Sequence, residues 1–261
     1  MDMAGHPGFF MRQNKHLIFV FMASGAVLAM GLLPVIPQDP AYHAFADQQN
    51  LFGIVNFLNV ISNLPFLVVG ILGIDKLYRL RGLVIVDTMK PVYGVFFISV
   101  GFIALGSIVY HLQPNNFTLL WDRLPMSLAF MAFFTIVVGE YIDDRIATKI
   151  FIPLLLIGPV SVIYWYWTES TGAGDLRLYI LVQYLPLLLI PFILWRRSCR
   201  FSHGAYYWAI IACYLLAKVL ELADARVFEI LTLVSGHSLK HLVSALAAYV
   251  FYAVLKNRHA V

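Results

Sequence analysis

Two histidines four residues apart, His237 and His241 in Gly236-His237-Ser238-Leu239-Lys240-His241, open the last long apolar run of the chain. On a helix, side chains at i and i+4 lie one above the other, so both imidazoles reach a single metal ion. A third histidine, His111, closes another apolar run, with Ser107 one turn before it and Asp122 just past the Pro114-Asn115-Asn116 break that follows. Three neutral imidazoles leave one tetrahedral position of a zinc ion open, the catalytic rather than the structural pattern, and a water held there is acidified to a pKa of about 7. Asp122 is the carboxylate available to orient such a water and accept its proton, and Ser107 is a donor for the water or a developing oxyanion. Taken singly, each histidine also reads as a hydrogen-bonded residue between helices. The remaining histidines, His6, His16, His43, His203 and His259, fall in connections and need no chemistry.

The elements that place these residues are membrane helices. Of 261 residues, 61% are hydrophobic and 12% charged, against about half and a quarter in soluble domains. A hydrocarbon core of about 30 Å takes roughly 20 apolar residues per helix. Eight such runs occur, approximately 17 to 36, 54 to 73, 92 to 112, 118 to 140, 148 to 167, 176 to 195, 205 to 223 and 238 to 255. No stretch between them is long enough for a soluble domain, so the expectation is one all-α membrane domain over residues 1–261, a polytopic helix bundle. Most Lys and Arg residues fall in alternate connections, among them Lys76, Arg79, Arg81, Arg196, Arg197 and Arg200. The positive-inside rule then puts both termini in the cytoplasm, and Ser107, His111, Asp122, His237 and His241 at one depth near the outer (periplasmic, extracellular or luminal) face. The basic residues lack interleaved aromatics, which speaks against nucleic-acid binding, and no protein partner can be inferred. The first run ends Leu33-Pro34-Val35-Ile36-Pro37 without a small-x-small site and is read as an uncleaved helix. Cys199 and Cys213 form no disulfide framework.

Other polar residues carry two readings each. Asn56, Asn59 and Asn63 recur at helical spacing on the second run, beside Ser62, and serve either as interhelical glue or as ligand contacts. Lys218, Glu221 and Asp224 share a face of the seventh run, where unpaired charge is costly; a Lys218–Glu221 bridge, or Arg123 neutralising Glu221 or Asp224, accounts for them structurally. Asp39, His43 and Asp47 lie in an outer loop without basic residues, either a cation site or a solvated loop. Runs five and six, rich in proline and aromatics, read as lipid-facing walls or the lining of an acyl-chain groove.

The motifs Ser107-x3-His111, Trp121-Asp122-Arg123-Leu124-Pro125-Met126 and Gly236 to His241 resemble those of the alkaline ceramidase family, within the CREST superfamily that also contains the adiponectin receptors. Asn59-x2-Ser62-Asn63 is similar to that family's first-helix motif, and the likeness covers roughly residues 54 to 255. It implies a seven-helix core over 54–255 with residues 17–36 as an additional N-terminal transmembrane helix. It also implies zinc held by His111, His237 and His241, with Ser107 and Asp122 catalytic. The implied activity is hydrolysis of the ceramide amide to sphingoid base and fatty acid, the lipid arriving from the membrane. Eukaryotic-type members bind calcium through an acidic Asp-Trp-x-Glu-x-Asn segment and a Glu on the first core helix. This chain lacks the segment and has Asn56 at the Glu position, which leaves Asp39, Asp47 and Asn56 for a weak calcium site. Other expectations on the same residues are a hydrolase of another acylated lipid, a ligand-sensing receptor on the same scaffold, and a haem protein using His111 with His237 or His241.

Overall fold

A computed structural model describes residues 7–79 and 82–261, with side chains from Ile18 onward. His6 and Arg81, and the side chain of His16, lie outside the described residues. The described chain is mainly helical, with two isolated β-bridges and no strand. Its helices are α1 (Pro7–Leu32), α2 (Phe57–Ile61), α3 (Leu64–Ile74), α4 (Lys90–Leu112), α5 (Asn116–Tyr141), α6 (Asp144–Ser170), α7 (Arg177–Arg196), α8 (Tyr206–Leu222), α9 (Asp224–Leu231) and α10 (Gly236–Asn257). Six spans among the described residues are long and apolar enough to cross a membrane: Phe57–Arg79, which runs through α2 and α3, Asp87–Leu112, which contains α4, and α5, α6, α7 and α10. The apolar stretch Ile18–Leu32 of α1 is shorter, and so is α8, at 17 residues.

Local chemistry sets the ends. The Asn115 side chain accepts from Thr118 N while Thr118 Oγ1 accepts from Asn115 N, a capping box that starts α5 directly after the Pro114 break. Asp143 caps α6 through Arg145 N and Ile146 N, and Ser235 caps α10 through Ser238 N. The first run stops being helical at Leu32, short of the expected Ile36, because Pro34 and Pro37 disfavour helical backbone before them. The second run is two helices, with Ser62 and Asn63 at the join and Pro65 in the first turn of α3. Helix α1 sits at the periphery against α7, where Phe19 and Phe192 rings meet at 5.5 Å.

The end of the bundle opposite the histidines is closed by a buried clamp. Glu140 at the end of α5 and Arg258 beyond α10 pair at 2.6 Å with both side chains wholly buried. A second guanidinium nitrogen donates to the same carboxylate at 2.7 Å. The hydroxyls of Tyr93 (α4) and Tyr207 (α8) donate to it as well, and Arg258 Nε donates to Val84 O at 2.9 Å. This bidentate pair ties α4, α5, α8 and the chain terminus together.

Candidate metal centre

Helix α4 delivers Ser107 and His111, α5 delivers Asp122 and Arg123, and α10 delivers His237 and His241. Two close backbone approaches bring them together. Pro125 has no N–H to give the Trp121 carbonyl four residues earlier, and that carbonyl abuts Gly106. A Cβ on Gly106 would lie 2.2 Å from Trp121 O and 3.1 Å from Asp122 Cα. Absence of a side chain at Gly106 therefore sets Ser107 beside Asp122, and both line the same cavity. Gly236 does the same for α10: a Cβ there would meet Leu220 O at 2.2 Å and Asp224 Cα at 2.9 Å. The α8–α9 corner thus reaches the head of α10, and Asp224 accepts His237 N at 2.7 Å and Ala46 N at 3.0 Å.

His111, His237 and His241 converge, all three buried, with one ligand nitrogen from each lying within 4.8 Å of the others. Their ring centroids form a triangle of 4.9 Å sides, which leaves no slot for a macrocycle and removes the haem expectation. His111 Nε2 and His241 Nε2 are 3.3 Å apart. Two nitrogens about 2.05 Å from one tetrahedral ion lie about 3.3 Å apart, so this edge has the length a zinc-like ion requires. His237 Nε2 is buried without a hydrogen-bond partner, an expensive state for an imidazole nitrogen unless something coordinates it. The third ring is oriented from behind: Ser62 Oγ lies 2.8 Å from His241 Nδ1 and 3.2 Å from Asn59 O. In the tautomer that turns the Nε2 lone pair of His241 to the other histidines, Nδ1–H donates to Ser62 Oγ and Ser62 gives its own proton to Asn59 O. Three buried histidines are thus positioned to hold a metal ion.

The polar stripe of α2 is shared between support and site. Asn56 Nδ2 donates to His111 O at 2.8 Å, Asn59 Nδ2 donates to Asp47 O at 2.9 Å, and Ser238 Oγ donates to Asn59 Oδ1 at 2.8 Å. Asn63 Nδ2 donates to Asn59 O at 2.7 Å and lies 3.2 Å from His241 Nδ1. These contacts are those of interhelical glue, the stripe joining helices by holding the histidines. The suggested calcium residues have separate partners: exposed Asp39 accepts from Ala41 N, buried Asp47 accepts from Gln49 N, and Asn56 is turned to His111. His43, expected to be structural, bridges Tyr110 and Asn116.

Lys218 and Glu221 pair at 2.7 Å, as the spacing suggests, but Lys240 joins them at 2.6 Å from the other Glu221 oxygen. Arg123 does not neutralise Glu221 or Asp224; it turns towards α6 and α7, against Trp165 and Tyr179. A missed residue roofs the centre. Phe45, in the loop before α2, packs its ring 4.7 Å from those of both His111 and His237; the only sequence signal was an aromatic flanked by Asp39, His43 and Asp47.

Beside the histidines opens a cavity of about 910 Å³ lined by Ser107, Asp122, Lys240 and His241 at its polar end. Its apolar wall descends α4 through Ile103, Val100 and Phe96 and includes Ile190 of α7 and Phe251 of α10. From Ser107 to Phe96 that wall runs about 16 Å at 1.5 Å per residue. Helix α8 packs on α10 and hardly on α7. No protein-family model matches the chain, and no curated protein does.

Proposed function

We propose that the protein is a zinc-dependent intramembrane hydrolase that cleaves the amide bond of ceramide-type lipids, built as a seven-helix core with α1 as an additional helix. The observation that carries the reading is the three-histidine centre opening, with Ser107 and Asp122, onto the head of a deep apolar cavity. Such a cavity suits a lipid whose reacting bond lies at the join of a polar head and a long chain. His111, His237 and His241 would hold the ion; when bound, zinc supplies Lewis acidity and an acidified water. Asp122 takes the proton of the attacking water on its carboxylate and returns it to the amide nitrogen, which leaves as a free amine. Ser107 donates its hydroxyl to the carbonyl oxygen as charge builds there. The wall from Ile103 to Phe96 receives the acyl chain and keeps water from the site. Loose contact between α7 and α8 gives the lipid a sideways route from the bilayer, and the charge rule puts the centre near the outer face with both termini cytoplasmic.

The test is turnover of a ceramide panel by the purified chain, with and without chelator. Release of fatty acid that stops on chelation, returns with zinc and disappears in Asp122→Ala supports the reading. Metal-independent turnover, or full activity in Asp122→Ala, removes it.

A further inference from the structure

Three cations line the cavity, and one of them has no contact ion pair among the described residues. Lys218 and Lys240 share the Glu221 carboxylate. Arg123 enters no ion pair among the described residues, although it is only 6% exposed. Its Nη2 donates to Gln38 Oε1 at 2.7 Å. The rings of Trp165, Tyr179 and Tyr42 surround the guanidinium carbon at 4.2, 4.9 and 5.4 Å. Nη1 is buried and makes no hydrogen bond. No nearby carboxylate makes a contact ion pair with it: Asp122, next to it in the chain, feels its charge without pairing, and exposed Asp39 accepts from Ala41 N.

A guanidinium stays charged at any accessible pH, and burying it without an anion is costly. Its planar fork is shaped for a carboxylate or phosphate. We propose that Arg123 is the specificity-determining residue for an oxyanion on the ligand's head group, so that the lipid taken by the cavity is an amide-linked acyl lipid carrying a phosphate or carboxylate close to the amide. Cleavage of that lipid rests on the hydrolase reading; recognition of the anion does not. Arg123 and Asp122 line the same cavity, so an anion held by Arg123 shares that cavity with the carboxylate assigned to proton transfer and registers the amide against the histidines. Tyr42 closes the same end, its ring over Arg123 and its hydroxyl donating to Glu221 at 3.3 Å.

The test measures binding of hexadecyl phosphate, palmitate and hexadecanol to the full chain in neutral detergent. One of the two anions should bind at least about tenfold more tightly than the alcohol, the size of one charge-assisted hydrogen bond, and which one it is names the head group. Arg123→Gln should bring that preference to within about threefold while the protein keeps its metal, and Arg123→Lys should retain part of it. Equal binding of the three amphiphiles, or a preference that survives Arg123→Gln, overturns the proposal. If Arg123→Gln does not fold, the preference of the native chain and of Arg123→Lys decides. A second arm compares turnover of N-palmitoyl sphingosine, its 1-phosphate and N-palmitoyl glycine. Selective anion binding with no amide cleaved removes the hydrolase reading alone; turnover of the neutral lipid with no anion preference removes this proposal alone.

Discussion

Replacing Ser62 by alanine isolates the orientation of one histidine from the rest of the centre. Ser62 does not belong to the histidine triangle. It stands behind His241, 2.8 Å from Nδ1, and passes its own proton to Asn59 O at 3.2 Å. Alanine removes that acceptor and leaves a buried Nδ1–H facing only the Asn63 amide, 3.2 Å away and already donating to Asn59 O. The imidazole then loses the bond that fixes its tautomer and rotation. Loss of such a partner costs about 10- to 100-fold in metal affinity, or about 1.4 to 2.7 kcal/mol. Competition against a fluorescent zinc chelator measures the affinity directly, and Ser62→Thr, which keeps the hydroxyl, should stay near the native value. Affinity in Ser62→Ala unchanged within about threefold would falsify the assignment of Nε2 as the ligand atom of His241.

Gly106→Ala should place a methyl 2.2 Å from Trp121 O, forcing α4 from α5 at a cost of about 1 to 3 kcal/mol; thermal unfolding and hydrolysis should fall together, and a native melting point would refute the close approach. Arg258→Met strands the wholly buried Glu140 carboxylate, with a loss of about 3 to 5 kcal/mol expected. Adding Glu140→Gln should recover part of that stability, and a single variant as stable as the native chain would contradict the clamp. Asp175, in the turn before α7, is held below the ordinary carboxylate range by hydrogen bonds from Arg177. Its contribution to stability is therefore complete above about pH 3.9 and lost as pH falls through its lower folded value. Asp175→Asn should flatten stability below that pH relative to the native chain, whereas an unchanged acid limb would exclude the ion pair.

What the sequence made legible were features with a local signature. His237 and His241 share a face because of their spacing, His111 and Ser107 share another, and the Pro114 break returns Asp122 to the same depth. The Lys218–Glu221 pair is legible for the same reason, being three residues apart on α8. Partners brought together by tertiary contact left no such trace. Lys240 meets Glu221 across two helices, Arg258 meets Glu140 from 118 residues away, and Phe45 reaches the histidines from a loop. Arg123 illustrates the physical limit: a membrane cation invites pairing with Glu221 or Asp224 of another helix, yet rotation along α5 carries it to the aromatic side chains of α6 and α7. The join at Ser62 and Asn63 inside an apolar run was hidden because hydropathy reports burial in lipid and is blind to a break in hydrogen bonding.

Binding of one metal ion by His111, His237 and His241, on which the proposed function stands, is read from the metal content of the purified chain. Plasma mass spectrometry should find about one zinc per native chain and, in a folded His237→Ala variant, less than about a tenth of that, since two ligands hold the ion far less tightly than three. A native chain without stoichiometric metal, or a His237→Ala chain that keeps it, would contradict the account.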